Sequence, residues 1–268
     1  MEQVVIGCIT KYDYKQREPW VVSLERSGYT GHKHMIVYDI EASTIEKLLS
    51  KGFGITRGTG QSSNICVNRF HDLALFHKMH MGQYHQVVST DVKDVVFQTN
   101  PFEYDFDELI VSTEGIKYKD EPWGKNNLTL SFGDEVYNNL KNQEIYNAGV
   151  IGGRLDTVAG LSSIIYQLCA GRPQYVPGGG GPDQAALNFL LNTPAYTHTQ
   201  FTQDWVCQAG TTADPTKIEQ FRPNLFVEEP IMTVGGVVTN QKYERFTMVH
   251  QYDRVPLWKE IIDRKYRD

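Results

Sequence analysis

Short runs of β-branched apolar residues alternate along this chain with stretches whose apolar residues recur at helical spacing. That alternation restricts the fold more than any other feature. Val4 to Ile9 and Met35 to Ile40 read as strands. Ser43-Thr44-Ile45-Glu46 has capping-box spacing, leads into Leu48 and Leu49 and stops at Gly52, which predicts a short helix. Gly52 to Gly60 holds four glycines and reads as a mobile loop. Asn64 to Met81 sets Cys66, Phe70, Leu73 and Phe76 on one helical face, ended by Gly82. Gln86 to Ser89, Leu109 to Val111, Tyr146 to Gly153 and Phe246 to Val249 read as further strands. Thr157 to Ala170 has the apolar period of a helix with Asp156 as its cap, and Asp183 to Leu191 reads as another, with Pro182 at its first position. The polar region from Gly115 to Asn142 is expected to leave the core as an excursion. The pattern predicts an α/β/α sandwich with a mostly parallel central sheet.

Composition excludes several functions. The chain carries 26 Lys+Arg against 32 Asp+Glu, and a net charge of −6 argues against a nucleic-acid or anionic-membrane partner. The longest charge-free stretch, Gln184 to Gln203, contains three Gln, two Asn, a Pro and a His, so no membrane-spanning segment is expected. With no signal-peptide pattern before the first strand, a cytoplasmic or otherwise soluble setting is expected. Cys8, Cys66, Cys169 and Cys207 are scattered without CxxC spacing and read as free thiols. Asn127-Leu128-Thr129 is a lone sequon, which is weak evidence for secretion.

The chemistry gathers at Ser89-Thr90-Asp91-Val92-Lys93-Asp94, where two carboxylates follow an apolar strand at the end where open α/β sheets bind ligands. A turn can bring Asp91 and Asp94 to one hard cation, Mg²⁺ or Mn²⁺. Three further segments add to them. Asn147-Ala148-Gly149 offers an amide followed by small residues that permit close backbone approach. Asp183-Gln184 opens a helix beneath the glycine run Gly178 to Gly181, and Met248-Val249-His250 delivers a histidine to a polar turn. His71, His77, His80 and His85 form a local excess but lack a third ligand at zinc spacing. Trp123, Trp205, Tyr252 and Trp258 are candidates for stacking on sugar rings, with packing as the plainer reading of each.

In this order the four segments resemble metal-dependent glycosyltransferases of the GT-A fold, over about residues 4–258. The Asp91–Asp94 segment stands in the place of the DxD motif, with DxxD spacing instead. The resemblance implies one GT-A-like domain over residues 1–268. It also implies a nucleoside diphosphate sugar as donor, UDP-linked by preference, and a glycan or other hydroxyl as acceptor. Asp91, Asp94 and His250 become the metal ligands and Asp183 the catalytic acidic group. Thr10, Tyr12, Arg69, Asn147, Gly149 and Gln184 fall at the donor, with Tyr12 stacking on the base. Arg254 is a second candidate cation for the leaving group, or else a salt-bridge partner of Asp253 or another carboxylate. Two other classes stay open: a HAD-like phosphatase or phosphotransferase with Asp91 as nucleophile, and a sugar- or nucleotide-binding module without turnover.

Overall fold

The computed structural model describes residues 2–59 and 62–267. Its strands are β1 (Glu2–Thr10), β2 (His32–Tyr38), β3 (Gly54–Arg57), β4 (Tyr84–Asp91), β5 (Val95–Phe97), β6 (Leu109–Lys117), β7 (Glu144–Arg154), β8 (Thr199–Thr202), β9 (Val206–Gln208), β10 (Ile231–Met232), β11 (Val238–Thr239) and β12 (Met248–His250). The helices are α1 (Tyr14–Arg26), α2 (Ala42–Ser50), α3 (Ile65–Met79), α4 (Pro122–Phe132), α5 (Asp134–Leu140), α6 (Leu155–Ala170), α7 (Asp183–Leu191), α8 (Ala209–Thr212), α9 (Pro215–Phe221) and α10 (Pro256–Tyr266).

Seven strands form the central sheet in the order β3-β2-β1-β4-β7-β6-β8. All pairings are parallel except those of β7, which runs antiparallel to both β4 and β6. Strand β7 therefore begins at the edge where β1, β4 and β6 end. Side chains alternate across the sheet, as period-two geometry requires. Val4 and Ile6 pack with Phe70 and Leu73 of α3 and Leu161 of α6, whereas Val5 and Ile9 pack with Trp20 and Leu24 of α1 and Leu48 of α2. Each such aliphatic side chain, when buried, contributes about 1.5–3 kcal/mol of transfer free energy. The expected mixed α/β architecture, with a mostly parallel sheet flanked by helices, is present.

A second sheet, in the order β5-β12-β9, lies beside the first. In it β12 is antiparallel to β5 and parallel to β9, so His250 is in register with both Val95 and Gln208. Val96, Cys207 and Val249 from these strands pack with Trp258 and Ile262 of α10. The main-chain N–H of Gln251 also donates to the carbonyl of Asp94 at 2.7 Å. This sheet thereby ties the late histidine to the segment that follows β4.

Several local expectations need correction. Helix α1 has no counterpart in the spacing argument, because Pro19 and the charges around it hide its apolar face. A capping box starts it: Gln16 N donates to Asp13 Oδ1 at 2.8 Å and Asp13 N donates to Gln16 Oε1 at 3.1 Å. The box predicted at Ser43–Glu46 does not form, since α2 begins two residues earlier and Glu41, not Ser43, occupies its cap position without a side-chain bond. Asp156 lies in the first turn of α6, one residue past its start, and Pro182 is the cap of α7 instead of its first residue. Gly52 to Gly60 is not all loop: 54–57 adds β3 to the sheet edge, while Gly60 lies outside the described residues. The Gly115–Asn142 region holds α4 and α5, and Ile116, Tyr118, Leu128 and Leu140 make a core cluster of their own. Polar residues interspersed with that apolar set, some exposed and some, such as Asn127 and Ser131, buried, masked it.

No helix among the described residues is long and apolar enough to cross a membrane. All four cysteines are free, Cys169 and Cys207 buried and the other two half-buried.

Candidate active site

The C-terminal edge of the parallel strands collects most of the residues singled out by spacing. Strand β4 ends on Asp91, and the turn into β5 supplies Asp94. Strand β12 presents His250 to both of them, with its Nε2 at 3.7 Å from Asp91 Oδ2 and 3.6 Å from Asp94 Oδ1. Two ligand atoms sharing one ion at about 2.1 Å each sit roughly 3–4 Å apart, so these separations suit a single divalent cation. Among the described residues this is the one group of three or more His, Cys, Asp or Glu side chains close enough to hold a metal.

The imidazole is prepared for that task from its other side. Nδ1 of His250 lies 2.8 Å from Gln208 Oε1, an acceptor only, so Nδ1 carries the proton. Nε2 is buried and has no hydrogen-bond partner. A buried polar atom left unsatisfied costs free energy, and a cation between it and the two carboxylates removes that cost. Burial disfavours the protonated ring, but Asp91 and Asp94 outweigh it and push the pKa of His250 up to about 9. Without a cation, a proton therefore holds the place at neutral pH.

Gly149 explains itself here. A Cβ at this position would lie 2.5 Å from His250 Cε1 and 2.7 Å from its Nε2. The small residue is required because the imidazole packs against it. Asn147 donates through Nδ2 to Glu114 Oε1 at 2.6 Å and accepts the N–H of Gly149 at 2.6 Å. Gln184 reaches the same carboxylate, its Nε2 donating to Glu114 Oε1 at 3.1 Å. Both amides are buried and engaged with the protein itself.

Arg69, on α3, is buried in spite of its charge. Its Nη1 bonds to Asp91 Oδ1, and its Nη2 donates to Asp183 Oδ2 at 3.0 Å and to the carbonyl of Ala148 at 3.2 Å. One guanidinium thus links the end of β4, the start of β7 and the start of α7. Burial raises the cost of ionising Asp91, yet Arg69 and His250 more than offset it and hold its carboxyl below the usual range. For Asp183 burial prevails over Arg69 and the pKa is raised.

Other candidates divide clearly. Thr10 and Tyr12 lie half-buried at and just past the end of β1. The Tyr12 ring carries the guanidinium of Arg17 at 3.4 Å from its centroid. Trp205, Tyr252 and Trp258 are core residues, so they are not available to stack on a ligand. Trp123 is half-buried and lies against the glycine run, donating to Gly179 O at 3.2 Å. Arg254 Nε faces Asp253 Oδ1 at 3.7 Å. The sequon residue Asn127 is buried and donates to Gly181 O at 2.9 Å, which bars it from glycosylation in the folded chain.

Three participants escaped the spacing argument: Glu114, Gln208 and Arg17. Glu114 lies late in β6, past the apolar run Leu109–Val111 that marked the strand. Gln208 ends the three-residue β9, too short for periodicity to flag. Arg17 belongs to the unanticipated α1, and its register places Nη1 3.1 Å from the carbonyl of Lys93.

No protein-family model matches the chain, and a search of curated protein sequences returned no match.

Proposed function

We propose that this chain is a metal-dependent glycosyltransferase of the GT-A type. It moves a sugar from a nucleoside diphosphate sugar, UDP-linked by preference, to an acceptor hydroxyl. One observation carries the reading: the buried, unpartnered Nε2 of His250 facing Asp91 and Asp94 at the C-terminal edge of a mostly parallel sheet. A divalent cation, Mn²⁺ or Mg²⁺, held by these three residues would supply positive charge to the leaving diphosphate.

The chain's own groups divide the remaining work. Gln208 holds the imidazole in the tautomer that leaves Nε2 its lone pair. Arg69 fixes Asp91 and Asp183 relative to each other and adds a buried cation beside the diphosphate position. Thr10 and Tyr12 stand where the base enters. Arg17 already covers one face of Tyr12, so the base meets a stacked cation–ring pair instead of a bare ring. Use of Asp91 as a phosphatase nucleophile fits less well. One of its oxygens is bonded to Arg69, and the other points at 3.7 Å toward His250, into the proposed cation position and not into an open approach for a phosphoryl group.

A thermal-shift series with UDP, GDP, ADP and CDP, each with and without Mn²⁺, tests the reading, since a ligand bound only by the native state raises Tm. A rise with one nucleotide that needs Mn²⁺, together with nucleotide release from the matching sugar donor, is expected. Absence of a shift with every nucleotide would sink the donor site. A shift without sugar release would leave a binding module.

A further inference from the structure

We propose that Glu114 accepts the proton of the incoming hydroxyl through its Oε2, and that Asp183 instead orients Arg69; this assignment rests on the glycosyltransferase reading. The geometry sets the two carboxylates apart. Glu114 lies near the end of β6, at the edge shared with Asp91, Asn147 and the start of α7. Two amide donors, Asn147 Nδ2 and Gln184 Nε2, converge on its Oε1 at 2.6 and 3.1 Å. Its Oε2 accepts no hydrogen bond from the described residues. Asn147 also accepts the N–H of Gly149, on which the His250 ring rests, so Glu114 stands one amide away from the metal ligands. Asp183 also has one oxygen engaged, but its partner is the charged Nη2 of Arg69 at 3.0 Å, whereas the partners of Glu114 Oε1 are neutral amides.

The surroundings also suit a base. Burial raises the Glu114 pKa, Asn147 and Gln184 lower it in part, Glu121 raises it again, and the result is about 7. The titratable groups facing it are Glu121 at the cap of α4, Tyr118 in the turn before that helix, and His250 on β12. A general base works best with its pKa near the operating pH. In the step, Glu114 Oε2 takes the proton of the acceptor O–H while that oxygen bonds to the anomeric carbon. The bond from this carbon to the phosphate oxygen breaks, and its electron pair leaves on the diphosphate. Such a direct displacement inverts the anomeric centre.

The test follows hydrolysis of UDP-hexoses, with water as acceptor, between pH 5 and 9, with Mn²⁺ kept saturating at every pH so that proton competition at His250 does not shape the profile. For the wild type, kcat is expected to fall on the acid side with a midpoint near 7. Glu114→Gln should lower kcat by about 100-fold or more, lose that acid limb, and keep the Tm shift given by UDP and Mn²⁺. Gln184→Met keeps the carboxyl but removes one of its donors, and should move the limb to higher pH. Near-wild-type kcat in Glu114→Gln, or an unmoved limb in Gln184→Met, overturns the assignment while nucleotide binding persists. A wild type that neither shifts with UDP and Mn²⁺ nor hydrolyses any donor overturns the glycosyltransferase reading beneath it, and the assignment with it.

Discussion

His77 and His250 are both buried, and the regions around them have opposite effects. His77 sits on α3 with both ring nitrogens unpartnered, and burial, with His80 adding to it, pushes its pKa down to about 3. His250 has Gln208 on one nitrogen and two carboxylates before the other, and its pKa rises to about 9. Burial alone makes a histidine inert. Charged partners on one side and a fixed tautomer on the other are what a histidine needs to serve as a ligand. The histidine-rich stretch from His71 to His85 is the denser signal in the sequence, yet the solitary His250 is the one that meets two carboxylates.

The strongest way to break this contrast is to remove one ligand at a time. His250→Ala and Asp94→Asn should each lower Mn²⁺-dependent turnover by at least about 100-fold and abolish heat from Mn²⁺ titration, while His77→Leu leaves both within about twofold of wild type. Equal losses in all three variants would show that the site does not depend on this triad.

Gly149→Ala comes next. The added Cβ meets the His250 ring, so Mn²⁺ affinity should fall by about 10–100-fold, and Gln208→Leu, which releases the tautomer, should cost about tenfold. Calorimetric titration separates these from wild type, and an unchanged Kd in both would remove the preparation argued for the imidazole.

Proton linkage sharpens the contrast further. Between pH 6.5 and 9 the metal must displace the proton from His250, so Mn²⁺ affinity should rise toward tenfold per pH unit and level off above about 9. Titration in buffers of different ionisation enthalpy should reveal close to one proton released near pH 7.

The smallest effects are on stability. His250 binds its proton more tightly folded than unfolded. Its contribution in the metal-free protein is present in full below the unfolded value of about 6.5 and is lost as pH rises through about 9. His77 has a lowered pKa, so the fold loses stability as pH falls from about 6.5 toward about 3. Removing its unsatisfied nitrogens, His77→Leu should add about 1–2 kcal/mol in urea unfolding and flatten the acid-side loss. A destabilised His77→Leu would mean that the ring's packing outweighs its polarity.

Much of the sheet was legible because its strands are buried on both faces and read as apolar runs, as in Val4 to Ile9 and Leu109 to Val111. Arg69, Asp91, Asn147, Gly149, Asp183, Gln184 and His250 were legible as types at strand and helix ends, and the fold brings them to one edge. Individual partnerships were not legible. Asn147 and Gln184 turn out to hold a carboxylate, and nothing in local spacing points from either one to Glu114. Their meeting depends on β7 running antiparallel between β4 and β6, a topology fixed by long-range packing. Likewise Gln208 reaches His250 only through the short β9–β12 pairing.

That pairing also works as a ruler. Side chains on a strand switch faces every residue, so sliding β12 by one position against β5 and β9 would offer Val249 or Gln251 to the carboxylates in place of His250. Length changes in the exposed stretch 241–245 should therefore be tolerated, but one residue inserted between Met248 and His250 should silence the site while leaving the large sheet intact. Tolerance to length change, mapped along residues 240–252, would trace the boundary between spacer and instrument.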